Sequence, residues 1–224
     1  MTAPRLSRAT QSGLHYDPAK VTIGVVHLGP GAFHRAHQAW YFHRLLATDP
    51  TWGVSAISLR SDDLRAALTP QDGLYILAQL DAEIRFETIG AFAEILTAPR
   101  DPDAVLARLA DPGVKLLTLT ITEKGYCLAP DGALDFGHPD IAADLAHPAR
   151  PTSAIGWIVE GLRLRRAAGL APFTVVSCDN LTDNGHRLRA AVIDLAGRRD
   201  PALAAWIETG VRCPCAMVDS ITPA

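Results

Sequence analysis

The chain has 224 residues, 48% of them hydrophobic, and a formal net charge of −3. That is length enough to bury a large core, and the nearly balanced charge, with Lys and Arg scattered along the chain, argues against a nucleic-acid partner. No apolar run approaches the roughly 20 residues that a membrane span requires, and Met1 to Asp17 lacks the apolar core of a secretory signal, so a cytoplasmic protein with no membrane partner is expected.

Residues 1–20 read as a polar arm, ordered only if it docks on something, and residues 21–224 as one domain. Val21 to Leu28 is a near-continuous apolar run, the pattern of a strand buried on both faces of a parallel sheet. It leads into His27-Leu28-Gly29-Pro30-Gly31-Ala32-Phe33-His34-Arg35, which places two glycines where a strand turns into a helix. Gly29 permits a tight turn, Gly31 lets the backbone approach a diphosphate, and the helix start offers unpaired N–H groups and a positive dipole end. A dinucleotide suits this turn; a purely structural glycine turn is the alternative, because His34 stands where G-x-G-x-x-G has its third glycine. No Gly-Lys-Ser or Gly-Lys-Thr follows a strand, which argues against a nucleoside triphosphatase. A helix is predicted over Gly31 to Leu46, stopped by Asp49-Pro50.

Trp52 to Leu59 is a predicted strand ending in Arg60-Ser61-Asp62-Asp63, where a doubly wound fold reads the adenosine ribose. A carboxylate there accepts hydrogen bonds from the 2′-hydroxyl and repels a 2′-phosphate, and an arginine does the reverse. Asp62 or Asp63 serves equally well as N-cap of a short helix, Leu64 to Leu68. Gly73 to Asp81 and Glu83 to Ile95 predict an antiparallel hairpin inserted into the parallel pattern. After a helix over Asp101 to Leu109, Val114 to Thr122 reads as a buried strand, with Glu123-Lys124-Gly125-Tyr126 at its carboxyl end. Ligands in open α/β sheets bind at such ends, which makes Glu123 a site candidate; its other reading is a solvated loop carboxylate paired with Lys124.

Ala129 to Pro151 reads as a loop with one short helix around Ile141 to Leu145. Thr152 to Ala168 follows as a helix whose C-terminus Arg163, Arg165 and Arg166 complement. Phe173 to Ser177 is a strand followed by Cys178-Asp179-Asn180, Asn184 to Leu195 a helix restarted at Pro201 to Thr209, and Cys213 to Val218 a last strand with Asp219 at its end. If these strands are parallel, Gly29, Glu123, Asn180 and Asp219 face one cleft. The fold expected is α/β, Rossmann-like and doubly wound, with a mostly parallel sheet and the inserted hairpin. Cys127, Cys178, Cys213 and Cys215 form no C-x-x-C pair and read as buried thiols, with no further zinc ligand near Cys213 and Cys215. His34, His37 and His43 read as packing or phosphate contacts, no metal is expected, and no G-x-S-x-G elbow is present.

Five stretches together are more specific than the glycine turn: His27 to His37, Gln71-Asp-Gly-Leu-Tyr75, Thr118 to Tyr126, Pro172 to Asn180 and Met217 to Pro223. In this order they resemble the mannitol dehydrogenase family, the long-chain polyol dehydrogenases that include fructuronate and tagaturonate reductases. The resemblance implies an NAD-dependent, zinc-independent oxidoreductase that interconverts a polyol or sugar acid with its keto form. It implies that Gly29, Gly31, Phe33 and His34 line the cofactor, and that Asp63, with Asp62, selects NAD over NADP. It further implies that Asn180 donates hydrogen bonds to the reacting oxygen, that Asp219 lies near nicotinamide and substrate, and that Glu123 borders a water or proton route. In that family the general base is a lysine of a second, mostly helical domain, and the sequence stops at Ala224 before it. Lys115 falls inside a predicted strand and Lys124 is the only local substitute, so a fragment or truncated product is expected. A non-catalytic NAD-binding fragment or interaction module is the alternative from another class, and a different Rossmann-like enzyme such as a methyltransferase is a third.

Overall fold

Five parallel strands form the central sheet, built from β1 (Ile23–Leu28), β2 (Gly53–Ser58), β5 (Phe92–Thr97), β6 (Leu116–Leu119) and β7 (Thr174–Ser177). The computed structural model describes residues 5–9, 13–218 and 221–222. The spatial order is β5-β2-β1-β6-β7, so the chain winds outward from β1 in one direction and then returns to wind in the other. The two-stranded excursion is β3 (Tyr75–Gln79) against β4 (Arg85–Ile89), antiparallel. The expected α/β doubly wound architecture with an inserted hairpin is the one observed.

Helices cover both faces. They are α1 (Ala32–Ala36), α2 (Gln38–Leu45), α3 (Asp63–Leu68), α4 (Pro102–Leu109), α5 (Pro139–Ala146), α6 (Ala154–Ala167), α7 (Asn184–Arg199) and α8 (Pro201–Gly210). Successive strand residues point to opposite faces. Val26, Leu28, Ile57, Leu117 and Leu119 accordingly join the larger core with residues of α4, α6 and α7, while Val25, Val54 and Ala56 join Ala39, Leu68 and Phe92 in the smaller one. A sheet buried on both sides needs strands that are apolar throughout, which is why these runs do not alternate.

Three expectations change. The helix expected over Gly31 to Leu46 is broken at His37 (φ −118°, ψ −87°), within a run rich in histidine and aromatic residues that have only modest helix propensity. The run Glu83 to Ile95 is not one strand: at Gly90 the chain leaves the hairpin and enters the parallel sheet. There the Gly90 N–H is donated to His43 Nδ1 and its carbonyl accepts from Arg8, so neither group is available to extend a ladder. Arg8 also reaches the carbonyls of Phe92 and Asp72, which docks the N-terminal arm on this junction.

The third change is Cys213 to Val218, which forms no strand. Pro214 has no N–H to offer a ladder. Val175 N–H donates to the carbonyl of Arg212 just before it, and within the segment the buried side chain of Asn184 donates to the Ala216 carbonyl at 2.7 Å and accepts from its N–H at 3.0 Å. Asp219, expected at the end of that strand, lies outside the described residues.

The arginine cluster of α6 is also more specific than a helix-dipole complement. Arg165 is buried and donates to the carbonyls of Ala171 and Asp111, Arg163 pairs with Glu160, and Arg166 pairs with Asp200. Among the described residues no helix is long and apolar enough to cross a membrane.

Candidate functional site

Beyond the carboxyl ends of β1, β2 and β6, where the strand order reverses, opens a cleft of about 720 Å³. Gly29 and Gly31 border it at β1, Ser58 and Asp63 at β2, and Thr122 and Lys124 at β6. Strand order and crevice coincide as they do wherever an open α/β sheet binds a ligand.

The glycine turn is fixed from below. His27, fully buried in β1, has Nδ1 2.7 Å from Thr118 Oγ1 and Nε2 3.0 Å from Thr120 Oγ1, while Thr120 donates its hydroxyl to the Gly29 carbonyl at 2.7 Å. Since that hydroxyl proton is committed to Gly29, Thr120 accepts from Nε2–H and Nδ1 accepts from Thr118. Burial holds the His27 ring neutral, its pKa pushed down to about 3. His34 stacks beneath it, ring centroids 3.3 Å apart and 15° from parallel, and is also kept neutral by burial and by its neighbour.

Gly29 and Gly31 differ in what they require. Gly29 has φ +82°, and a Cβ there would lie 2.3 Å from the Thr120 carbonyl oxygen, so the fold itself demands glycine. At Gly31 φ is −69°, and a Cβ would meet nothing nearer than the Gly29 oxygen at 3.9 Å. Nothing in the protein excludes a side chain there, and the room left open belongs to the cleft. A diphosphate held against backbone N–H groups fits this cradle.

The other expected residues divide. Asp63 borders the cleft and accepts from Ser61 Oγ at 2.5 Å, while its own N–H donates to that hydroxyl at 3.1 Å; Ser61, and neither aspartate, satisfies the start of α3. Asp62 turns away to β5, where Thr97 Oγ1 donates to it at 2.5 Å and Arg100 at 3.2 Å. Phe33 is half-buried and stacked on His37, and His34 is enclosed under the turn. Glu123 is exposed on the turn after β6, beside Lys124 in the cleft wall. Asn180 is exposed just past β7. Lys115 precedes β6, at the far end of the sheet, where it donates to Thr51 and lies over the Trp52 ring. Cys127 and Cys178 are buried, but Cys215 is exposed and, against expectation, has company: its ligand atom lies within 4.8 Å of those of Asp183 and His186.

Sequence reasoning missed Asp179, whose carboxylate joins two loops. It accepts from the N–H groups of Ile121 and Thr122, each at 3.0 Å, and from Tyr126 Oη at 2.7 Å. Its place beside Asn180 at a strand end was the only available signal.

The model of the mannitol dehydrogenase Rossmann domain matches residues 23–224. The chain belongs to the mannitol dehydrogenase family. D-mannonate oxidoreductase of Escherichia coli K12 is 48% identical over 216 residues, covering 93% of this chain and 44% of its own length. A polyol:NADP oxidoreductase of Gluconobacter oxydans is 41% identical over 215 residues, again 93% of this chain and 44% of its own. Mannitol 2-dehydrogenase of Pseudomonas fluorescens, solved as a ternary complex with NAD and D-mannitol, superposes with a TM-score of 0.92 at 37% identity over 98% of this chain and 48% of that one. The chain thus spans less than half the length of these family members.

Proposed function

We propose that this chain is the cofactor-holding part of an NAD-dependent dehydrogenase that interconverts a polyol or sugar acid with its keto form in the cytoplasm. The observation that carries the reading is the pair of glycines at the reversal point of the sheet, one required by the fold and the other left bare toward the cleft. The order of the cleft walls supports it: a carboxylate after β2 for the adenosine ribose, the turn after β1 for the diphosphate, and the loop after β6 for the remaining half. A bound nicotinamide supplies the hydride chemistry. Asn180, as an amide N–H donor, suits the oxygen on which negative charge builds as the hydroxyl proton is removed, ahead of hydride loss from the carbon. Glu123, exposed at the end of the neighbouring strand, is assigned a route for the proton, and Asp219, outside the described residues, is assigned to the nicotinamide end on the family resemblance alone. Alcohol oxidation also needs a base within hydrogen-bond reach of the hydroxyl, worth ~10²–10⁴-fold. We assign that role to a lysine of the helical part of the longer family members, and not to Lys124.

Titration of the purified chain with NADH gives a saturable rise in nicotinamide fluorescence; a folded chain with no such change refutes the assignment. Turnover with mannitol, arabinitol, mannonate or altronate is expected only from a form that carries the helical part. Turnover by the 224 residues alone would mean that the base lies within them.

Asp63 is assigned the choice of dinucleotide. Asp63→Ala weakens NADH binding about tenfold, the loss of a charge-assisted hydrogen bond, and NADPH binding less. Asp62→Ala, which breaks only the tie to Thr97 and Arg100, lowers stability without changing the preference. Equal effects of Asp63→Ala on both cofactors would remove the assignment.

A further inference from the structure

Thr122 occupies φ +64°, ψ 163°, a backbone region suited to glycine, and it does so in the wall of the cleft. Such a conformation persists in a β-branched residue only where the surroundings over-determine it. Here the surroundings are the Asp179 carboxylate. Its two oxygens take the consecutive N–H groups of Ile121 and Thr122 separately, Oδ2 the first and Oδ1 the second, and Tyr126 Oη holds Oδ2 from the other side while also bonding Ser177 Oγ at 2.5 Å. The Gly125 N–H closes the turn onto the Thr122 carbonyl at 3.0 Å.

We propose that Asp179 is a positioning residue for the nicotinamide half of the cofactor. It clamps Ile121 and Thr122 in the strained shape, and this sets Thr122, Lys124 and Gly125 as the wall against which the nicotinamide and its ribose pack. The proposal rests on the dinucleotide reading of the cleft and assigns its second half: with the adenosine ribose at Asp63 and the diphosphate at Gly31, the rest of the molecule must run across the end of β6. The same clamp fixes the spacing between Glu123 and Asn180, which flank it in sequence on the two loops that Asp179 joins. A carboxylate is required because both gripped groups are donors. An asparagine presents one acceptor and one donor, so one of the two N–H groups is left facing another N–H.

The test compares two ligands of the same cleft. NADH spans all of it, whereas ADP reaches only the adenosine and diphosphate part. In Asp179→Asn, the NADH dissociation constant read by nicotinamide fluorescence rises about tenfold, the fluorescence gain at saturation falls, and ADP affinity read by calorimetry stays within about twofold of the unsubstituted chain. Equal loss of both ligands, which a merely structural tie would produce, overturns the proposal, as does loss of neither. Thr122→Gly keeps the test decisive should Asp179→Asn not fold. It relieves the backbone strain, so its melting temperature is no lower, yet the loosened wall weakens NADH several-fold and leaves ADP unchanged. Unchanged NADH affinity in that variant overturns the proposal. Failure of the unsubstituted chain to bind either ligand refutes the dinucleotide reading itself and is visible before any variant is made.

Discussion

Gly31→Ala is expected to leave the fold intact and to weaken NADH binding more than tenfold. An alanine at φ −69° carries no backbone strain, and its methyl group would find no protein atom closer than 3.9 Å, so thermal unfolding should be unchanged. The methyl would instead stand where a diphosphate must approach the backbone, forcing the two apart by about the radius of a carbon and lengthening every N–H to oxygen contact past useful range. Gly29→Ala makes the reverse prediction. A Cβ there lies 2.3 Å from the Thr120 oxygen and 3.1 Å from Ile121 Cγ2, at a positive φ, so the variant loses about 2–3 kcal/mol of stability. Thermal melts and fluorescence titrations on the two variants separate a glycine kept for folding from one kept for a ligand. Wild-type affinity in folded Gly31→Ala would sink the diphosphate assignment.

The largest loss of stability away from the site is expected at Glu160. This side chain of α6 is 2% exposed and is held by Arg163, with bonds of 2.8, 3.0 and 3.1 Å, and by Arg199 of α7, itself only 10% exposed. Removing the carboxylate strands the Arg199 charge away from water, which for a buried pair costs ~3–5 kcal/mol. Because Arg163 is nearly half exposed and can return to solvent, Glu160→Ala falls at the lower end of that range. Burial alone would raise the carboxyl pKa, but the hydrogen bonds from Arg163 and Arg199 outweigh it and hold it below the ordinary value of 4.5. A folded-state pKa below the unfolded one means that the stabilisation is complete above about pH 4.5 and is lost as the pH falls through the folded value. The melting-temperature gap between the unsubstituted chain and Glu160→Gln is therefore wide at neutral pH and closes under acid. A gap independent of pH would show that the ion network contributes nothing.

Much of the sheet was legible because burial on both faces leaves a plain mark, an apolar run with no alternation, as in Val21 to Leu28. The strand ends followed directly, and with them the positions of Gly29, Glu123 and Asn180. What could not be read was decided by partners distant in sequence. Gly90 divides one β-rich run into two unrelated strands because His43 and Arg8 take its backbone groups. Cys213 to Val218 has strand composition, yet Pro214 and the side chain of Asn184 leave it outside the ladder. Asp62 and Asp63 are equivalent on paper, and only Thr97 and Arg100, which claim the first, tell them apart. His34 stood in a motif that pointed to a ligand, and its stack on the His27 ring, a contact between residues seven apart, left no mark in the sequence.

The division of labour at Gly90 has a practical use. The ladder of β3 and β4 is separate from the central sheet, where β5 is registered independently on β2, and the excursion is anchored toward its base, where Tyr75 Oη donates to the Arg35 carbonyl and Trp40 Nε1 to Glu87. Its tip, between Gln79 and Arg85, projects the apolar side chains of Leu80 and Ile84 into solvent. A loop graft, an affinity handle or a reporter dye at that tip would alter one short ladder and leave the cofactor cleft untouched, which makes it the natural place to engineer this protein.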